Sequence, residues 1–251
     1  MRTFLTLLAR EVKAYFYSPV AYIVLVFFLI LTGFNFYASV SLLNRAPSEV
    51  TILEAFFNTV LFWFGYILIF PLITMRLFSE EYKLGTIEPL MTAPVRDAQV
   101  VLSKFLGAMV FYIMLWLPSG LYFRIFEWIT NQDAVLTDGA YLGSYSLLFL
   151  MGMFNISIGC LASALTKNQI VAAVISFCCI TMLFFFGLIS FIVLNISPFL
   201  RNLMGYFSSL EHMMEFSRGM IDSRPIVYYS TMTILMLVLT YHVFQARKWK
   251  A

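Results

Sequence analysis

The sequence predicts an all-α integral membrane protein with six transmembrane helices, and three observations carry that prediction. The chain of 251 residues is 61% hydrophobic and only 12% charged, with a mean hydropathy of +0.88. A water-soluble domain of this length has no interior large enough to hide that much apolar surface. Apolar runs at residues 20–43, 55–78, 101–125, 141–164, 169–194 and 226–245 each reach membrane-spanning length. The runs are continuous, whereas a membrane β-barrel shows alternating segments of about ten residues. The whole chain, 1–251, therefore reads as a single transmembrane domain.

The first element, residues 1–17, is amphipathic. On a helical wheel Phe4, Leu5, Leu8, Val12, Tyr15 and Phe16 share one face, while Arg2, Thr6, Arg10 and Lys13 share the other. That pattern suits a helix lying in the membrane interface with its cations toward lipid headgroups. Amphipathicity alone does not separate an anchor from a mechanical part. Ser18-Pro19 ends the element. The first long run starts too late and is too long for a signal-peptide core, so it reads as a retained span.

Lys and Arg set the orientation. Arg2, Arg10, Lys13, Arg76, Lys83, Arg96, Lys104, Lys167, Arg247, Lys248 and Lys250 fall on one side, and Arg45, Arg124, Arg201, Arg218 and Arg224 on the other. The excess, 11 against 5, puts both termini, the 79–98 segment and the turn at Lys167 on the cytoplasmic side of the inner membrane. A net charge of +3 is small for this length and gives no footprint for nucleic acid; membrane lipid is the expected surrounding partner.

On the outer side, Thr51 and Glu54 fit a capping box for the second span. Residues 195–225 are too apolar for a free loop. Ser208 and Glu211 are placed to cap a short helix that stops near Gly219. Short helices re-entering the outer leaflet under cover of the spans are expected here, with Phe207, Met213 and Phe216 as candidates for an outer gate.

No catalytic or metal site is expected. His212 and His242 are far apart and no HExxH is present; "EHMME" reads better as a solvated helix face than as a metal cluster. Cys160, Cys178 and Cys179 lie within spans without a C-x-x-C spacing. There is no GxSxG and no GxxxxGK[ST], so the chain has no phosphate loop of its own. The spans lack the midplane carboxylate or His that an ion-coupled carrier uses. Their mild polarity, at Asn35, Asn155, Ser157, Ser176 and Thr181, suits helix bridging more than a substrate path. Gly159 and Ser163 form a small-xxx-small pair, Pro71 and Pro118 sit inside spans, and Arg124 is expected to snorkel or pair with Glu127.

The stretch "SEEYKLGTIEPLMTAPV", Ser79 to Val95, interrupts the apolar pattern. It reads as an extension of the second span, a turn at Gly85, and a very short helix capped by Thr86. Glu88 would sit in that helix's first turn, where the dipole favours an anion, and Pro94 would end it. Leu90 and Met91 are apolar knobs on a water-facing helix, the pattern of a plug for a partner's groove. A catalytic pair from Glu80 and Glu81 is disfavoured, because adjacent helical side chains diverge.

The run "RLFSEEYKLGTIEPLMTAPV" resembles the signature of the ABC-2 type permeases, with a Met-Arg end to the second span, a Glu pair, Gly-Thr, Glu, Leu, Thr and Pro-Val. The N-terminal helix looks like that family's elbow helix. "SSLEHMMEFSRGMIDSRPIVYYST" resembles its Phe-x-x-Gly-x-Ile-Asp run before the sixth span. Within the family the chain is most similar to the gliding-motility-associated permeases, with the nitrous-oxide-reductase maturation permeases as near relatives.

The resemblance implies a non-enzymatic subunit of an ATP-driven exporter. Two copies of a cytoplasmic ABC ATPase would bind ATP and Mg, so no cofactor is expected in this chain. A second permease subunit would complete a homo- or heterodimer, and in the gliding branch one subunit carries a large extracytoplasmic domain. The family's coupling helix maps to Thr86–Thr92, and its charged flank, which in the family contacts the ATPase or the elbow helix, to Glu80 and Glu81. The ATPase dock is thus expected at Glu80, Glu81, Gly85, Thr86, Glu88, Leu90, Met91 and Pro94. The alternative is a polytopic scaffold that docks an ATPase and an extracytoplasmic partner for assembly without transport. The topology is checked by cysteine labelling of intact cells: Lys83→Cys stays unlabelled from outside, while Asp133→Cys and Glu211→Cys label.

Overall fold

The computed structural model describes residues 2–44, 50–87, 95–130, 138–192 and 197–248. These residues are all-helical, with no strand among them. The helices are α1 (Arg2–Phe16), α2 (Pro19–Leu43), α3 (Ile52–Phe57), α4 (Val60–Thr74), α5 (Ser79–Leu84), α6 (Asp97–Thr130), α7 (Asp138–Leu165), α8 (Gln169–Ile192), α9 (Pro198–Phe207), α10 (Ser209–Ser217) and α11 (Ser223–Lys248). Six of the helical stretches are long and apolar enough to cross a membrane, running from Pro19, Val60, Asp97, Gly139, Gln169 and Ser223. The chain is a multi-pass membrane protein.

Helix α7 is the axis of the bundle. It packs against α4, α5, α6, α8, α10 and α11. Of its most apolar stretch 78% is buried, against 22% for α8 and for α11. The outer helices therefore present apolar side chains such as Ile30, Phe34, Met182 and Ile234 outward, which is the arrangement a lipid solvent requires.

Small residues on α7 decide how closely its neighbours approach. A Cβ on Gly159 would meet Thr74 Oγ1 at 2.1 Å, and one on Gly152 would meet the Tyr112 ring at 2.3 Å. One turn beyond Gly159, Ser163 Oγ accepts the N–H groups of Phe78 (3.0 Å) and Ser79 (3.1 Å). Phe78 has no capping side chain of its own, so Ser163 satisfies two otherwise free donors at the start of α5. The Gly159/Ser163 pair is thus the seat for the α4–α5 break.

The second span starts later than its apolar run suggests. The capping box at Thr51 and Glu54 is present, with Glu54 N–H on Thr51 Oγ1 (3.2 Å) and Thr51 N–H on Glu54 Oε2 (3.0 Å). It starts the separate six-residue helix α3, buried at every position. The span itself begins at Val60 under a new cap, Thr59, whose Oγ1 accepts the Phe62 N–H. Asn35 of α2 enforces the break: its Nδ2 donates to the Phe56 carbonyl at 3.0 Å, and its Oδ1 accepts from Thr59 Oγ1 at 2.6 Å. Other polar span residues also bridge, as Asn155 Nδ2 does to Tyr66 Oη at 3.0 Å.

Within the segment 195–225 the described residues form α9 and α10, joined at Ser208, and the start of α11. Ser208 Oγ accepts the Glu211 N–H at 3.3 Å. At the far end Gly219 takes φ +82°, and Met220 N–H reaches the Glu215 carbonyl while Gly219 N–H reaches Phe216. That is a Schellman motif, and it gives the Phe-x-x-Gly spacing a physical reason: Phe216 anchors the last turn in the core while the glycine supplies the left-handed residue.

Gly159→Ala pushes α7 off Thr74 and is expected to cost about 1–3 kcal/mol by overpacking. Gly139→Ala, with nothing within 4 Å of the new methyl, is expected to be neutral or mildly stabilising. Thermal unfolding in detergent separates the two.

Candidate functional site: a charged junction joining α1, α5 and α6

Helix α1 lies on α6 because the two surfaces fit closely. Tyr15 stacks on Phe111 at 4.9 Å between ring centroids, and Phe16 meets the same ring edge-on. A Cβ on Gly107 of α6 would come within 2.9 Å of Glu11 Cβ, so only glycine permits the crossing. Tyr15 Oη donates to the Ile73 carbonyl at 2.9 Å and ties α1 to the end of α4. The apolar face of α1 is therefore divided: Tyr15 packs on the bundle while Leu5 stays 61% exposed.

At the crossing the chain buries charge. Lys104 of α6 is 1% exposed, with its Nζ 3.2 Å from Glu11 Oε2 and 2.9 Å from Glu81 Oε1. Arg10 closes the ring, 2.7 Å from Glu11 Oε1 and 3.1 Å from Glu81 Oε1. Lys104 also lies 5.4 Å from the centre of the Phe78 ring. Two carboxylates and two cations balance, so Lys104 and Glu11 are buried with their charges paired while Arg10 stays half-exposed. Glu80 turns elsewhere, to Arg76 at 3.6 Å, as expected of adjacent helical residues. Arg76 also donates to Ser18 Oγ.

Helix α5 is held from a third side by Arg247 of α11, whose guanidinium lies 4.5 Å from the Tyr82 ring centre and donates to the Leu165 carbonyl. The ends of α1, α5, α7 and α11 thus gather at one end of the bundle. Beyond α5 the chain turns at Gly85, in the left-handed region at φ +70°. Lys83, Leu84, Gly85 and Thr86 are exposed, and Ile87 is buried again. The exposed turn begins two residues after Glu81, whose carboxylate joins the buried charges. Glu88, Leu90, Met91 and Pro94 lie outside the described residues.

Of the expected docking residues, then, Glu81 faces inward to Arg10 and Lys104, Glu80 pairs along its own helix, and Gly85 and Thr86 face out. Glu11 and Lys104 hold the junction together, and sequence reasoning passed over their roles. The available signal was a carboxylate within the inward stripe of α1 and a lysine just inside the third apolar run.

At the other end of the bundle, Met213 and Phe216 are buried and Phe207 packs edge-on against Tyr228 at 5.5 Å. Arg218 of the α10 cap reaches Glu54 of α3 at 2.6 Å, and Arg124 pairs with Glu127 at 3.1 Å. His212 is buried with its Nδ1 3.1 Å from Tyr229 Oη. Burial pushes its pKa down to about 4, and Asp222 opposes that shift only in part.

Residues 13–187 match the family described as ABC-2 family transporter protein. The match spans more than half of the chain, and the chain belongs to that family. No curated protein matches it.

Two predictions follow from these contacts. Lys104→Met leaves Glu11 and Glu81 to share the half-exposed Arg10, one cation against two carboxylates, and is expected to cost up to about 3–5 kcal/mol. Adding Glu11→Gln and Glu81→Gln to it should recover most of the loss; thermal unfolding of the single and triple variants measures both. For His212 the unfolded chain takes up the proton first, at the ordinary pKa of 6.5. Stability is therefore full above that value and is lost as pH falls from there toward about 4. His212→Gln flattens that dependence in melts recorded across the range.

Proposed function

We propose that the chain is the permease subunit of an ATP-driven exporter, carrying out no covalent step and coupling hydrolysis by a separate ATPase to movement of a substrate out of the inner membrane. Both termini face the cytoplasm. The observation that carries this reading is the exposed Lys83–Thr86 turn, which begins two residues after Glu81 of the Glu81–Lys104–Glu11 bridge. A partner that grips the turn and the residues after it pulls on α5, and the buried charges pass the pull to α1 and α6. Breaking the bridge to yield instead would strand charge at a cost of several kcal/mol, so the three helices move as one body.

In this reading α1 is an interfacial elbow helix, and Thr86–Thr92 is the coupling helix, with Leu90 and Met91 as its apolar knobs and Pro94 as its end. Two ATPase copies bind ATP and Mg, and a second permease subunit completes the pore. Closure of the ATPases draws the coupling helices together and tilts the spans outward. Re-entrant α9 and α10 then form the outer gate at Phe207, Met213 and Phe216, where burial of Met213 and Phe216 supports a closed outer side. The quoted loop and pre-span motifs support membership of the gliding-motility-associated branch, where such permeases export material or assemble the motility machinery.

The test is co-purification of the ATPase with wild-type permease, Leu90→Asp, and a Lys167→Ala control. Leu90→Asp puts an unpaired charge in the partner's groove and should lower affinity about thirtyfold or more, equivalent to about 2 kcal/mol. On this reading the variant still inserts and dimerises, because a coupling helix works outside the membrane. Equal ATPase recovery from all three would overturn the docking role. Recovery without substrate-stimulated hydrolysis would favour a scaffold.

A further inference from the structure

A cavity of about 430 Å³ opens beside the charged junction, and its wall changes character along its length. Arg76, Glu80 and Glu81 line one part; Val20, Val24 and Leu72, on the membrane-spanning portions of α2 and α4, line the other. Leu72 also lines a second groove, of about 470 Å³, which continues along Phe27, Leu68 and Phe177 with no polar side chain on its wall. A charged chamber and an apolar groove therefore meet at one residue, on the face that the spans turn to the bilayer.

We propose that the two together hold one phospholipid of the surrounding bilayer, with an amine-bearing phosphoethanolamine headgroup in the chamber and an acyl chain in the groove. The shape is that of an amphiphile, and neither half suits a wholly soluble ligand. Charge selects the headgroup. The charges around the chamber balance, Glu80 against Arg76 and Glu11 and Glu81 against Lys104 and Arg10, and a zwitterionic headgroup keeps that balance. An anionic headgroup without an amine adds a negative charge that the balanced chamber does not offset.

The reachable groups are Arg76 and Glu80, each about one-third exposed and held only 3.6 Å apart. Arg76 Nε has no hydrogen-bond partner, so their contact is a loose one. A phosphate beside Arg76 and an ammonium beside Glu80 give each a charge-assisted bond at hydrogen-bonding distance. Seated there, the lipid fills the wedge between the α1–α2 corner and the end of α4, next to the start of α5. The site depends on the chain's being a membrane protein and not on its docking an ATPase.

Native mass spectrometry tests the assignment on the purified full chain, in micelles supplied with either palmitoyl-oleoyl phosphatidylethanolamine or the matching phosphatidylglycerol. The expected result is one retained phosphatidylethanolamine per chain, preferred over phosphatidylglycerol by about fivefold or more, a difference of roughly 1 kcal/mol. Arg76→Gln removes the phosphate partner. Ala14→Trp, at an exposed alanine on the cavity rim, blocks the chamber without touching the ion pairs and keeps the test open if Arg76→Gln misfolds. Both lose the bound lipid, whereas Arg224→Gln, far exposed, keeps it. Equal retention of the two lipids, or unchanged retention in Ala14→Trp, would overturn the proposal.

Discussion

The buried ammonium of Lys104, held between Glu11 and Glu81, is the constraint on which the rest of this end of the molecule depends. An ion taken out of water is tolerated only while its partners stay in place. The cluster therefore acts as a lock on geometry more than as a source of net stability. It sets where α1 lies on α6, and it sets where α5 leaves the bundle. The glycine at 107 and the Tyr15–Phe111 stack let α1 come close enough for the lock to form. Ser163 holds the start of α5 in the position from which Glu81 reaches the lysine.

The rest of the bundle separates rigid from yielding parts by the same logic. The α2–α3–α4 corner is pinned by Asn35, which serves the end of one helix and the cap of the next. At the end opposite the charged junction, α3 and α10 are joined by Glu54 and Arg218. Between these ends the contacts are mainly apolar and aromatic, and such contacts slide at lower cost than a buried ion pair breaks. A pull applied at one end thus has stiff handles and a softer middle, the combination a transporter needs if its spans are to tilt without unfolding.

Local chemistry was legible in the sequence wherever the partners are close in the chain. The Thr51–Glu54 and Ser208–Glu211 caps, the Gly219 stop and the six spans all follow from spacing within a few residues. Separation at α3 was not legible, because residues 52–74 are apolar almost throughout and the deciding group, Asn35, comes from another helix. The junction was hidden for the same reason: Glu11 and Lys104 are 93 residues apart. Glu81 was expected to meet either a partner or the N-terminal helix; its carboxylate is engaged by Arg10 of that helix and by Lys104 of α6, and the lysine was not legible. Gly159 and Ser163 stood out only as small residues at helical spacing; their use as the seat of the α4–α5 break needed Thr74 and Phe78 beside them.

The central claim is that the buried bridge makes α1 and α5 one body. Spin labels at Lys13 and Lys83, both exposed, report on it directly through the distance distribution between them, in protein whose three native cysteines have been replaced. The account predicts a single narrow distance in the otherwise wild-type chain and a broadened, shifted distribution when Lys104→Met removes the shared cation. The same narrow distribution in both proteins would contradict it.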